Sequence, residues 1–188
     1  MKTFLTLLFM GMIQLSFGQI AKGTLRLGPE IEYSSTKTEI DGFDVDLVDT
    51  DLTLGVGFGY YIIDNLEIGV SLAYISSKSE FDDFEGTSTG VFIGPVIQYK
   101  VPLTDKLYLP LGAGFGYNSF SSEDDNSDET KYTGISYSAF TGLEFVVNNQ
   151  LGAFLHIGPE FGSFKDTDSD DEFDLTVFGA GVGFNFYF

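Results

Sequence analysis

The chain has 188 residues, enough for one domain and short for two. It has no cysteine, which excludes a disulfide framework and the lipidated cysteine of bacterial lipoproteins. Nine lysines and arginines stand against 28 aspartates and glutamates, a formal charge of −19 that argues against nucleic acid or an anionic membrane surface as partner and leaves basic or cationic partners open.

The first nineteen residues, "MKTFLTLLFMGMIQLSFGQ", carry a basic Lys2, an apolar run from Phe4 to Leu15, and small residues Ser16 and Gly18 just ahead of Gln19. That is the pattern of a secretory signal peptide. The run is shorter than the roughly 20 apolar residues of a spanning helix. The expected division is therefore a signal peptide over 1–18 and one domain over 19–188.

Beyond Gln19 there is no sustained helical period; apolar residues instead recur at every second position, the period of strands. The rows are Leu25, Leu27, Ile31, Tyr33; then Leu52, Leu54, Val56, Phe58, Tyr60, Ile62; then Leu66, Ile68, Val70, Leu72, Tyr74. Next come Val91, Ile93, Ile97, Tyr99; Leu107, Leu109, Leu111, Ala113, Phe115, Tyr117; and Ile135, Tyr137, Ala139, Leu143, Phe145. Leu151, Ala153, Leu155, Ile157, Phe161 and then Phe178, Ala180, Val182, Phe184, Phe186, Phe188 complete the set. Eight strands result, each expected to hold about 9 to 11 residues, the length that crosses a bilayer at a tilt.

Connections alternate in length. Short turns fall at Asp64-Asn65, Pro102 to Lys106 and Asn148-Asn149. Long acidic connections start at Ser34, Ser76, Asn118 and Lys165 and hold nearly all the excess negative charge. Such alternation describes an antiparallel up-and-down meander whose two ends face different compartments. Pro29, Pro95 and Pro159 recur inside strands, where a missing ladder donor usually marks an edge or a bulge; a closed barrel has no edge, so bulges are expected.

Two solvents suit the alternation. In a soluble, lipocalin-like binder the large residues face inward, and water would then meet bare rows such as Gly55, Gly57, Gly59 and Gly112, Gly114, Gly116. In a membrane barrel they face lipid, and the glycines leave room in a narrow lumen. The aromatics favour lipid: Tyr33, Tyr74, Tyr117 and Tyr137 fall toward the long-connection end, and Tyr60, Tyr99, Phe145 and Phe188 toward the short-turn end. Membrane interfaces select two such bands, whereas a soluble core has no reason to sort its rings by end.

With "VGFNFYF" ending on a phenylalanine, residues 19–188 resemble the small outer-membrane β-barrel proteins of Gram-negative bacteria, and "SFG" before Gln19 is similar to exported proteins of the Bacteroidetes. The resemblance implies an all-β, eight-stranded antiparallel transmembrane barrel in the cell outer membrane, in contact with lipids and lipopolysaccharide. It also implies that Phe184, Phe186 and Phe188 form the C-terminal signal read by the barrel-assembly machinery.

Sites of chemistry are few. The single histidine, His156, points to the lumen and has no serine at its inward neighbours Phe154 and Gly158, so packing is preferred to the acyl-transfer chemistry of some small barrels. Asp166, Asp168 and Asp170 fit the first positions of a calcium loop, but Asp171 stands where the turn glycine belongs and no closing glutamate follows. Weak divalent-ion binding at the acidic loops is the most these support. No catalytic residue, metal or cofactor is expected. Parity places Arg26, Glu67, Lys100 and Glu144 inward near the short-turn end, where charges must pair in so narrow a lumen. Glu30, Glu160, His156, Gln98, Phe92 and Phe154 are expected to crowd the middle. The function expected is a non-enzymatic barrel with a structural or surface-interaction role; a channel for small or hydrophobic solutes and a soluble secreted binder are the alternatives.

Overall fold

The computed structural model describes residues 20–39, 46–81, 84–124, 130–167 and 171–188. The expected signal peptide over 1–18, and Asp168 and Asp170, lie outside them. Eight strands run in chain order: β1 (Leu25–Glu39), β2 (Asp46–Ile63), β3 (Leu66–Phe81), β4 (Phe84–Pro102), β5 (Leu107–Asp124), β6 (Thr130–Asn148), β7 (Leu151–Asp166) and β8 (Glu172–Tyr187). Each pairs antiparallel with its neighbours, and β1 meets β8 to close the barrel.

Alternation sets the faces as the apolar rows require. Phe178, Val182 and Phe184 are 62%, 60% and 54% exposed, while the buried hydrophobic residues among those described are Ile20, Tyr61, Tyr108, Phe164 and Tyr187. An apolar belt of this extent on the outside has no stable place in water. The soluble, lipocalin-like alternative, which needs the large residues inside, is thereby corrected. Tyr137 and Phe161 stack at 5.3 Å within the outer aromatic band.

Three expectations need revision. Strands run to 15–19 residues rather than the span of the bilayer. The Ser/Thr/Asp segments that read as loops continue the ladders, because polarity marks the exit from lipid and not the end of hydrogen bonding; β3 and β4, for example, pair as far as Phe81 with Phe84. The prolines make no bulges. Pairing is interrupted beside Pro29 on the β8 side, Pro95 on the β5 side and Pro159 on the β6 side, and resumes in the same register each time. Each proline forfeits a donor toward one neighbour only, so the count of residues is unchanged. The register shifts lie instead at the short-turn ends, between Tyr61 and Ile63 and between Val146 and Asn148. The first moves the outward position from Ile62 to Ile63, which is 52% exposed.

The turns follow side-chain chemistry. Asn65 adopts φ 63°, a left-handed position that asparagine tolerates. The Thr104 Oγ1 accepts the Leu107 N–H at 3.0 Å, and the Asn148 Oδ1 accepts that of Gln150 at 2.9 Å, which sets the last turn at Asn149-Gln150.

The glycine rows receive the large inward side chains of neighbouring strands. A Cβ on Gly59 would sit 1.9 Å from a Glu67 oxygen, one on Gly112 2.1 Å from Phe140, one on Gly116 2.2 Å from Phe92, and one on Gly181 2.2 Å from His156. Gly94 differs, because its Cβ would meet backbone: the Phe115 carbonyl oxygen at 2.0 Å and the Gly116 Cα at 2.5 Å. Backbone cannot rotate away. Gly94→Ala is expected to destabilise the barrel by about 1–3 kcal/mol as an overpacking change. Gly23→Ala has open space around its Cβ but a φ of 92°, so urea unfolding of the two variants in lipid vesicles separates conformational strain from crowding.

Candidate functional site

The inner face is built in layers from the short-turn end. The lowest is an apolar floor. Ile20 packs with Tyr61, Tyr108 and Tyr187, and Val146 lies against them. The segment before β1 is fastened there by hydrogen bonds: the Ile20 N–H donates to Asn65 Oδ1 (3.0 Å), the Asn65 N–H to the Ile20 carbonyl (3.0 Å), the Lys22 N–H to Asp64 Oδ1 (2.8 Å) and the Gly23 N–H to the Tyr61 carbonyl (2.8 Å).

Directly above lie the four charges. The Arg26 Nε donates to both Glu67 oxygens at 2.8 and 2.9 Å, and the Lys100 Nζ stands 2.5 Å from Glu144 Oε2. Two cations and two anions cancel. Asn185 joins the pairs, accepting from Arg26 Nη1 at 2.8 Å and donating to Glu144 Oε1 at 2.9 Å. The Lys100 ammonium donates to the Tyr187 hydroxyl at 2.8 Å, and that hydroxyl donates in turn to Glu144. The same ammonium sits 5.1 Å from the Tyr187 ring centroid and 5.6 Å from that of Tyr61, within cation–π range. Glu67 and Lys100 are 0% exposed, Glu144 1% and Arg26 9%. Such burial is tolerable only because nearly every lone pair and proton is used.

Gln98 belongs to this layer and not to the middle, since its Nε2 donates to Glu67 Oε2 at 2.9 Å. Asn185 and Tyr187 are additions to the sequence reading. The signal was available: both fall at inward positions of the "GFNFYF" row, and a lone amide among phenylalanines has no use on a lipid face.

Above the charges is a cavity of 170 Å³ whose walls include Glu30, Glu32, Glu160, His156, Phe92 and Phe154. The His156 Nε2 lies 3.8 Å from Glu30 Oε2 and 4.0 Å from Glu32 Oε2, and has no hydrogen-bond partner among the described residues. Its ring packs edge-on against Phe140 at 5.9 Å and tilted against Phe154 at 5.8 Å. Ser136 and Ser138 share the cavity wall, which inspection of the histidine's own strand did not reveal. Higher still, Asp51 accepts from Ser34 Oγ at 2.7 Å and from Ser77 Oγ, and the Asn118 amide donates to Ser136 Oγ at 2.9 Å. At the mouth, Phe120, Phe164, Phe173 and Tyr132 form an aromatic cluster with centroids 5.4–5.5 Å apart.

The chain is therefore a cup, closed at the short-turn end and polar or aromatic up its inner wall. Two solved structures resemble it closely in shape. The outer membrane protein OprG from Pseudomonas aeruginosa aligns with a TM-score of 0.61 at 15% identity, over 91% of this chain and 98% of that one. The Neisserial surface protein A, NspA, aligns with a TM-score of 0.57 at 12% identity, over 89% and 98%. Identities this low speak for the fold alone. No curated protein matches in sequence. The family described as "Outer membrane protein beta-barrel domain" matches residues 4–186, nearly the whole chain. Its antiparallel eight-strand closure, its lipid-facing apolar belt and this match agree: the chain belongs to the outer membrane protein β-barrel domain family and is an outer-membrane barrel.

Proposed function

We propose that the protein is a non-enzymatic, non-conducting barrel with a structural or surface-interaction role, whose working surface is the acidic end formed by the long connections. The observation that carries this reading is the double closure of the lumen: an Ile20 and tyrosine floor beneath a fully paired charge layer. Each layer alone would obstruct a hydrated path, and the second would repel neither sign of ion selectively enough to act as a filter. Among the described residues the His156 Nε2 receives no serine hydroxyl, the hydrogen bond by which a histidine base activates a nucleophile.

On the same reading, residues 1–18 are a signal peptide and Ile20 docks after its removal. Phe184, Phe186 and Phe188, which face outward in the finished barrel, act earlier as the recognition signal of the assembly machinery in a Gram-negative cell of Bacteroidetes type. The acidic rim meets lipopolysaccharide through weakly held divalent cations.

Planar-bilayer recording tests the central statement. The expected trace shows little steady conductance. Large, stable single-channel steps would overturn it in favour of a channel for small or hydrophobic solutes. Steps that appear only in Lys100→Ala would identify the charge layer as the barrier.

A further inference from the structure

The closing ladder is incomplete. β1 and β8 pair from Arg26–Tyr187 up to Ser34–Gly179, and there the pairing stops. Yet β1 continues to Glu39 along β2, and β8 begins at Glu172 along β7. Among the described residues, no strand pairs with the β1-facing edge of β8 between Glu172 and Phe178. The last pair lies one residue beyond Tyr33, a member of the outer aromatic band, so the split above it opens into water and not into lipid.

Its direction can be derived. Leu25 and Phe188 exchange two backbone hydrogen bonds, at 3.1 and 3.0 Å. In an antiparallel ladder the bonding residues alternate, so the even-numbered residues of β8 turn their N–H and C=O toward β1. Above the split, Glu172, Asp174 and Thr176 present those groups to an edge that no strand among the described residues pairs with, while Phe178 stands where the ladder ends.

An exposed edge of this length is a template for another strand. We propose that the β8 edge from Glu172 to Phe178 accepts an extended peptide segment of alternating basic and apolar residues, added to the sheet as an extra strand. The side chains specify the alternation. Phe173 and Leu175, 44% and 43% exposed, share one face, with the Phe164 ring stacked on Phe173 at 5.5 Å. Glu172 and Asp174 share the other face. Apolar partner residues pack on the first row and basic ones on the second. A second copy of the chain is the poorer occupant, since edge-to-edge pairing would bring Glu172 and Asp174 against themselves on molecules that each carry −19. The inference rests on the surface-interaction reading above, which bilayer recording tests separately.

The probe is a fluorescent peptide of alternating lysine and valine long enough to span Glu172 to Phe178, titrated against the full barrel in detergent micelles by polarisation. Saturable binding is expected. N-methylation of every second backbone amide in one frame should weaken it at least about tenfold, while methylation in the other frame leaves it unchanged, because only one set of amides faces β8. Exchanging lysine for glutamate should abolish it. Thr176→Pro removes an N–H that has no ladder partner, so the heat-shifted gel mobility of the folded barrel should persist while peptide affinity falls severalfold. Equal loss in both methylated frames, or none in either, would reduce the interaction to charge alone and overturn the proposal. So would concentration-dependent dimerisation in ultracentrifugation that the peptide does not reverse. If the frame selectivity holds in a barrel that conducts, the acceptor edge stands and only the non-conducting reading falls.

Discussion

Lys100→Met is expected to destabilise the barrel by about 3–5 kcal/mol, the range for removing one partner of a buried ion pair. The ammonium is fully buried, lies 2.5 Å from Glu144 and donates to Tyr187. Its loss leaves a carboxylate at 1% exposure with hydrogen bonds from Asn185 and Tyr187 but no counter-charge. An exposed salt bridge on the rim would be worth roughly 0–1 kcal/mol, so the size of the effect identifies the burial. Urea unfolding in lipid vesicles measures it, and adding Glu144→Gln should return much of the loss, since the stranded charge goes with it. If the single variant were nearly neutral, or the double variant worse than the single, the layer would be a hydrated cluster and not a sealed one.

The second large effect concerns the outer face. Val56 is outward on β2, midway between Leu52, which pairs with Tyr33 of the upper band, and Tyr60 of the lower band. It therefore lies near the bilayer midplane. Val56→Arg should cost about 2–4 kcal/mol in lipid. Thr87→Arg, on an exposed position of β4 above Val91 and its partner Tyr74, should change stability by no more than about 0.5 kcal/mol. Similar small costs at both positions would mean that the belt does not sit in lipid as assigned.

The two faces were legible because strand alternation is strict and lipid rewards it: Leu52, Leu54, Phe58 and Tyr60 could be assigned with no knowledge of their partners. The short turns were legible from asparagine, aspartate and proline chemistry. Strand length was not, since a serine or threonine that leaves the bilayer looks in sequence like one that leaves the sheet. The prolines misled for a related reason. A missing donor reads as a break, yet Pro29 loses its bond toward β8 while keeping its place opposite Val56 of β2. At the site, inward position and height on the strand were enough to put Arg26, Glu67, Lys100 and Glu144 at one level, but the partner choice required three dimensions. Nothing local marks Ile20 as part of the floor, because its contacts come from residues at least forty positions away: Tyr61, Asn65, Tyr108 and Tyr187.

The ladder that joins β1 to β8 binds Leu25 to Phe188, the first strand to the last. In polymer terms this is the most remote contact the ladders make, and it becomes affordable only after the hairpins between have shortened the loop. Seven hairpin ladders can form as the chain becomes available, yet the sheet they make keeps two raw edges until β8 meets β1. An interrupted chain is therefore not a shorter barrel but an open sheet, ready to pair with any other edge it meets. Sealing is a property of all eight strands together, and the time between the first hairpin and the arrival of β8 is the interval in which the chain must be kept apart from its own copies.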